Sequence, residues 1–231
     1  MSTADHAPTL PSLEHVVVAM DGPSGSGKSS TSRGVAATLG LRYLDTGAQF
    51  RAVTVWMLRH AVDLGDPEAI AAAAERPVIV SGTDPSAPTI TVDGEDVADG
   101  IRSEETTRAV SAVASVPAVR RRLLDLQRSI IGTGGIVVEG RDIGSVVAPH
   151  ARVKLYLTAD PAARAARRTA EQAGGDVAAT EADLRRRDAI DSSRAAAPLQ
   201  VPEGAVHLDT THYSLTEVID RVVALVRATV S

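Results

Sequence analysis

The sequence predicts an α/β fold built on a parallel β-sheet, and three observations carry that expectation. The first is order: residues 16–60 read as strand, glycine-rich loop, helix, strand and helix, the alternation that parallel strands with crossover helices require. The second is Gly22-Pro23-Ser24-Gly25-Ser26-Gly27-Lys28-Ser29, which fits the pattern G-x-x-x-x-G-K-[ST] and falls between the first strand and the first helix. The third is recurrence, because Ile136-Val137-Val138-Glu139, Val153 to Leu157 and Ala205 to Leu208 are further short apolar runs of the buried-strand type.

Taken in order, Val16-Val17-Val18-Ala19-Met20 is β-branched and apolar and ends at Asp21-Gly22-Pro23, as a buried strand entering a loop does. Ser29 to Leu39 has a helical pattern that Gly40 stops. Leu41 to Leu44 is a second strand, ended by Asp45-Thr46-Gly47, and Ala48 to His60 is a helix. Asp66-Pro67-Glu68 opens a short helix with a capping acid and a proline at its first position. Val78-Ile79-Val80 and Thr89 to Val92 are strands, and Asp93-Gly94 after the second is a hairpin signal. Residues 63–112 are therefore expected to form a small β-containing insertion in the core; a pair of edge strands on the main sheet is the alternative.

Pro117 to Ile131 is amphipathic, with Val119, Leu123, Leu126 and Ile130 at spacings of three and four, and Gly132 ends it. Asp160-Pro161 opens an arginine-rich helix, Gly174-Gly175 breaks it, and a second helix is expected from Glu181 to Ala189. A capping box, Ser214-Leu215-Thr216-Glu217, starts the last helix. The division that follows is a disordered leader at 1–14, a core of 15–62 and 113–231 with a helical lid at about 160–190, and the insertion at 63–112.

Composition removes several classes. The 231 residues are 44% hydrophobic and 23% charged, an ordinary globular balance able to bury a core. No apolar run approaches the roughly 20 residues that span a bilayer. The start, MSTADHAPTL, shows no signal peptide, so the cytoplasm is the expected compartment. With no cysteine, disulfides and cysteine-ligated metals are excluded. A net charge of −5 argues against nucleic acid as a partner, and a monomer without membrane partners is expected. Only Lys28 and Lys154 are lysines among many arginines, a bias that a GC-rich genome would give. Against that scarcity, Gly27-Lys28-Ser29 stands out.

The chemistry of the glycine run is explicit. Its glycines let backbone N–H groups surround phosphate oxygens, and the helix that begins there adds the positive end of its dipole. The expected ATP-binding residues are Gly22, Pro23, Ser24, Gly25, Ser26, Gly27, Lys28, Ser29 and Ser30; Lys28 reaches the β- and γ-phosphates and the Ser29 hydroxyl binds Mg²⁺. A dinucleotide fingerprint fails, because Ser30 stands where its third glycine belongs. Such a loop names the donor and is silent on the acceptor. No Asn-Lys-x-Asp of the GTPase kind is present, and arginines crowd the loops after the strand candidates, where ligands of such folds gather. Arginine holds phosphate with a bidentate fork, and bringing two anionic nucleotides together demands converging cations. From these residues alone, kinases of CMP, UMP, AMP or shikimate stay open, as does a nucleotide-binding switch.

The chain resembles the bacterial cytidylate kinases from about residue 15 to residue 227. The motifs are Asp21 to Lys28, Asp45-Thr46-Gly47-Ala48, Gly94-Glu95-Asp96-Val97 with Ile101-Arg102, Gly140-Arg141-Asp142-Ile143-Gly144 with Val146-Val147, and Arg187-Asp188 followed by Asp191, Arg194 and Ala197-Pro198-Leu199. The resemblance implies a P-loop kinase fold and phosphorylation of CMP and dCMP by ATP with Mg²⁺. It implies that Ser111, Arg120 and Asp142 read cytosine, that Arg51, Arg141 and Arg194 hold the acceptor phosphate with Thr46 nearby, and that Arg187 and Asp191 contact the sugar. Phe50 stands where the family pattern has tyrosine, so its ring can pack on the nucleotide without a hydroxyl contact. Arg164, Arg167 and Arg168 resemble the lid arginines; Arg164 and Arg168, with Lys28, Arg141 and Arg194, form the expected catalytic set. Glu139 ends an apolar strand as the acid that orients magnesium-bound water does, with Asp45 and Asp209 as competitors for that role.

Overall fold

The computed structural model describes residues 13–171, 176–193 and 199–230. Its main sheet is built from β1 (Val17–Asp21), β2 (Arg42–Asp45), β6 (Ile136–Glu139), β7 (Val153–Thr158) and β8 (Val206–Asp209). All neighbours are parallel and the spatial order is β2-β6-β1-β7-β8. The chain leaves β1 to one side and crosses over it to reach β7, so the connections diverge beside the carboxyl end of β1, the position where open parallel sheets bind ligands. The α/β expectation is what the chain forms.

Alternation along the strands divides the core into two layers. Val18 and Met20 of β1 face α1 (Lys28–Leu39) and α8 (Leu215–Val230), packing with Val35, Ala36, Val218, Val222 and Val226. Ala19 of β1 points the other way, into a cluster with Leu44, Ile136, Val138, Ile143 and Val147. Each fully buried side chain of this size contributes roughly 1.5–3 kcal/mol, so both faces of the sheet resist displacement of the strand ends.

Local chemistry sets the helix starts. The Asp45 carboxylate accepts the Ala48 N–H at 2.9 Å and opens α2 (Thr46–Arg59). Asp66 accepts the Glu68 N–H at 2.9 Å ahead of α3 (Pro67–Ala73). At α8 the capping box closes both ways, Ser214 N–H to Glu217 at 2.8 Å and Glu217 N–H to Ser214 at 3.3 Å.

Between α3 and α5 (Pro117–Ile131) the chain forms a separate antiparallel sheet of β3 (Ile79–Ser81), β4 (Ile90–Val92) and β5 (Glu95–Asp96). Asp93 and Gly94 both have positive φ, 52° and 84°, the two-residue turn that their pairing announces. These strands do not extend the main sheet; beyond the end of β3, the Tyr43 N–H donates to the Thr83 carbonyl at 2.9 Å. They pack on the core through Trp56, Met57, Ile70, Ile79, Ile90, Val113 and Leu123.

Two elements depart from expectation. Helix α4 (Glu104–Ser115), which was not expected, fills the end of the β-containing segment, started by Ser103, whose hydroxyl accepts the Thr106 N–H at 3.1 Å. After α6 (Pro161–Glu171), helix α7 runs over Val177–Ser193 and not 181–189, because Asp176 caps it by accepting the Ala178 N–H at 2.8 Å. Gly174, Gly175 and the leader up to residue 12 lie outside the described residues. No helix among the described residues is long and apolar enough to cross a membrane.

Candidate functional site

The site assembles at the carboxyl ends of β1, β6 and β2. Gly22, first residue of the phosphate loop, has φ +144°, and a Cβ there would lie 2.0 Å from the Leu157 carbonyl oxygen, so only glycine lets the loop leave the sheet at this point. Gly27, at φ 84°, turns the loop into α1. Lys28 is buried within the loop, its Nζ donating to the Pro23 carbonyl at 2.6 Å and the Ser26 hydroxyl at 3.4 Å. Burial, then Arg141, pushes its pKa down, while Glu139 and Asp21 oppose that shift. Ser29 and Ser30 follow on the first turn of α1.

Glu139 ends β6, fully within the protein. The Tyr43 hydroxyl donates to it at 2.5 Å, and the Ser29 hydroxyl faces it. Burial, then the neighbouring Asp45, pushes its pKa up, and burial with the adjacent Glu139 raises that of Tyr43. An oxygen pair of this kind, the Ser29 hydroxyl beside the Glu139 carboxylate, suits a hard divalent cation. The other two candidate acids are otherwise engaged: Asp45 caps α2, and Asp209 is exposed and accepts from Thr211. The Thr46 hydroxyl donates to the Glu139 carbonyl at 2.8 Å.

After β6 the chain makes Gly140, Arg141 and Asp142 and then one turn of π-helix, Ile143–Val147, a distortion common at functional sites. Asp21, at the end of β1, accepts the N–H groups of both Ile143 and Gly144 at 2.7 Å. Asp142 is ion-paired with Arg120 of α5, and the two side chains are only 8% and 11% exposed. Arg120 also donates to the Ala114 carbonyl of α4 at 3.2 Å and lies 5.3 Å from the centre of the Phe50 ring. Ser111 stands half-buried on α4, one turn before Ala114. Phe50 and Arg120 are thus in contact, with Ser111 on the adjoining helix.

The arginines sort into two kinds. Arg51 donates to the Ile101 carbonyl and the Thr107 hydroxyl, both at 2.9 Å. Burial, followed by Arg187 and Arg168, disfavours its charge, and burial followed by Arg141 does the same for Arg187. Guanidinium groups stay protonated regardless, so these four cations form a converging positive field. Arg141 pairs with Asp191 at 3.1 Å. Arg187 is buried on α7, and its Nε has no hydrogen-bond partner among the described residues.

The second kind is braced against the frame of the phosphate loop. Arg164 donates to the Ser24 carbonyl at 3.1 Å and is ion-paired with Asp188, which in turn accepts the Ser24 N–H at 3.4 Å. Arg167 donates to the Thr210 hydroxyl at 2.9 Å and its carbonyl at 2.7 Å, and the Thr210 hydroxyl reaches the Ser26 carbonyl at 3.2 Å. The tip of the phosphate loop is therefore clamped to α6 and to the end of β8. Asp188, Thr210 and Asp21 were not given roles from sequence; the signal for Asp188 and Asp21 was their place inside the motifs. Arg194 lies outside the described residues. Two surface grooves at the opposite, amino-terminal edge of the sheet contain none of these residues.

Comparison with known proteins agrees on one family. The family model described as "Cytidylate kinase" matches residues 18–228. A cytidylate kinase of Streptomyces griseus is 61% identical over 213 residues, covering 91% of this chain and 92% of that one. Those of Rhodococcus opacus and Mycobacterium leprae are 51% and 48% identical over 220 residues, with 93% of this chain covered in each case and 96% and 97% of theirs. The crystal structure of an uncharacterized protein from Eubacterium ventriosum, 11% identical, shares the fold with a TM-score of 0.52 over 93% of this chain and 99% of that one.

Proposed function

The chain belongs to the cytidylate kinase family, and from that premise we propose that it transfers the γ-phosphoryl group of ATP to CMP and dCMP, giving CDP and dCDP. One observation carries the reading: Arg51 and Arg187 are buried beside the phosphate loop with Arg141 and Arg168 around them, so that burial first and these cations next disfavour the charge of both. Such crowding is relieved when anions arrive, and two nucleotides supply several negative charges at that place.

In this proposal Gly22 to Ser30 cradle the ATP phosphates, with Lys28 on the transferring end. Arg51, Arg141 and Arg194 hold the acceptor phosphate beside Thr46, and Arg187 and Asp191 contact its sugar. Phe50 packs on the base, which Ser111, Arg120 and Asp142 read. The exocyclic amine of cytosine donates to Asp142, while Arg120 and Ser111 donate to N3 and O2; uracil presents a carbonyl where the amine stood. Leaving that pair unsatisfied costs about 1–3 kcal/mol, enough for discrimination of roughly tenfold to a hundredfold.

No general base is required, because a nucleoside monophosphate has a second pKa near 6 and its oxygen is already anionic at neutral pH. Catalysis is positioning and electrostatic stabilisation. Ser29, with Glu139 acting through water, would hold Mg²⁺, which when bound neutralises phosphate charge. Of the arginines on α6, Arg168 is proposed to reach the transferring group; Arg164, bound to Ser24 and Asp188, is proposed to act by shaping the phosphate loop. The α6–α7 pair is read as the lid, residues 63–112 as the acceptor-side insertion, and the enzyme as a cytoplasmic monomer without nucleic-acid or membrane partners.

Steady-state ADP production from Mg-ATP against CMP, dCMP, UMP, AMP, GMP and shikimate tests the reading. CMP and dCMP should lead UMP by about tenfold or more. If another acceptor leads, the roles given to Ser111, Arg120 and Asp142 are wrong; if ADP appears only in traces, a nucleotide-binding switch replaces the kinase.

A further inference from the structure

We infer that Asp21 is a positioning residue that holds the acceptor-reading loop, residues 140–144, in register with the phosphate loop and thereby contributes to the choice of acceptor base. Asp21 is the last residue of β1 and directly precedes Gly22. Its side chain has no exposed surface. One carboxylate oxygen accepts the Ile143 N–H and the other the Gly144 N–H, each at 2.7 Å. At its other end the same loop is fixed by the Gly140 N–H, which donates to the Met20 carbonyl at 3.0 Å. Arg141 and Asp142 lie between these two anchors, so their placement relative to Lys28 is set from β1.

The site asks for a carboxylate specifically. Two converging N–H donors need two acceptor oxygens and no donor, a requirement that an ionised Asp meets and an Asn does not. Gly144 makes the approach possible: a Cβ there would stand 3.3 Å from the Asp21 oxygen and 3.0 Å from Pro202. The ionised form is held against its surroundings. Burial pushes the Asp21 pKa up to about 6; the two N–H donors pull it back, Asp142 adds to the rise and Lys28 opposes it. Tyr156 faces it across the pairing with β7.

The acceptor part of this inference rests on the proposed phosphorylation of CMP, and the test separates the two. The full chain carrying Asp21→Asn is compared with wild type in the acceptor panel. The expected result is a fall of about tenfold or more in the CMP-to-UMP ratio of kcat/KM, arising mainly in the acceptor KM, with the ATP KM within about threefold and no loss of melting temperature. A ratio within about threefold of wild type, or a loss of activity that follows a lower melting temperature, overturns the inference. Should wild type itself not prefer CMP, the functional reading fails, and Asp21 is judged without it by NMR. In that case the Ile143 and Gly144 amide resonances must titrate together in wild type, with a midpoint near 6, and stay flat in Asp21→Asn. Amides that do not titrate overturn the positioning role whatever the acceptor.

Discussion

Asparagine at position 142 tests the proposed base-reading pair with almost no change of shape. Asp142 and Arg120 are ion-paired with side chains 8% and 11% exposed, so neither is screened by much water. Arg120 keeps its other contacts, to the Ala114 carbonyl at 3.2 Å and over Phe50. For CMP, the variant exchanges a charged acceptor for a neutral amide oxygen. A hydrogen bond to a charged group contributes about 1.5–3 kcal/mol and each 1.4 kcal/mol is tenfold, so kcat/KM for CMP should fall by about 10- to 150-fold. For UMP, the new amide N–H can donate to the carbonyl that a carboxylate would repel, so its kcat/KM should rise. The CMP-to-UMP ratio should therefore drop by about a hundredfold or more. Initial rates of ADP formation with each acceptor at saturating Mg-ATP measure it. Removing one partner of a buried pair costs about 3–5 kcal/mol, less where a hydrogen bond survives, so the variant should melt lower yet stay folded at 25 °C. A folded variant whose ratio lies within about threefold of wild type would refute the assignment of Asp142 to the base.

Lys28→Met should lower kcat by about 10²–10³ while CMP affinity, measured by calorimetric titration, changes by less than about threefold; an unchanged kcat would show that Lys28 does not reach the phosphates. Tyr43→Phe takes a hydroxyl donor from the buried Glu139 carboxylate. That loss costs about 1–3 kcal/mol, which in a chain of this size lowers the melting temperature by roughly 2–10 °C; an unchanged melting curve counts against the bond. Asp21 gives a pH signature. With its pKa raised by burial from 3.8 to about 6, the folded chain keeps a proton that the unfolded chain has released in that interval. Its charge therefore costs nothing below about pH 4 and about 3 kcal/mol above pH 6. Urea unfolding of Asp21→Asn against wild type should show the variant gaining relative stability across that window, and a constant difference would sink the argument.

Local chemistry is what a single sequence displays. The turn from β1 through the glycines into α1, the Asp66 cap, the Asp93-Gly94 turn and the Ser214 box each act within a few residues, and each forms as read. Helix α4 escaped, although its buried Thr106, Val110 and Val113 recur at spacings of four and three, because the segment falls inside the expected β-containing insertion. The start of α7 escaped because the glycine pair before it masks the Asp176 cap. In the site, residue types were legible but pairings were not. Tyr43 and Glu139 are 96 residues apart, and Asp21 meets residues 122 and 123 positions away. The Asp21 partners are backbone N–H groups, which every residue but proline carries, so nothing in their identity marks the contact.

The same limit governs the arginines, and it bears on mechanism. Sequence places Arg164, Arg167 and Arg168 on one helix as near-equivalents, whereas packing gives them different work. Arg164 and Arg167 have their guanidinium groups bonded to the frame of the phosphate loop, through Ser24 with Asp188 and through Thr210. Arg168 adds to the field that weighs on Arg51 and Arg187. Arg164 and Arg167 direct their bonds to the frame of the loop, whereas Arg51, although it bonds Ile101 and Thr107, and Arg141, although it pairs with Asp191, lie where cations crowd one another. Converging arginines are held close at a cost, and that cost is relieved when phosphate charge comes between them. A group whose interaction strengthens as charge develops lowers a barrier; one already satisfied only preserves geometry. We therefore propose that the rate enhancement comes from Arg51, Arg141, Arg168 and Arg187 with Lys28, and that the clamps at Ser24 and Thr210 keep the phosphate loop in the shape that those cations require.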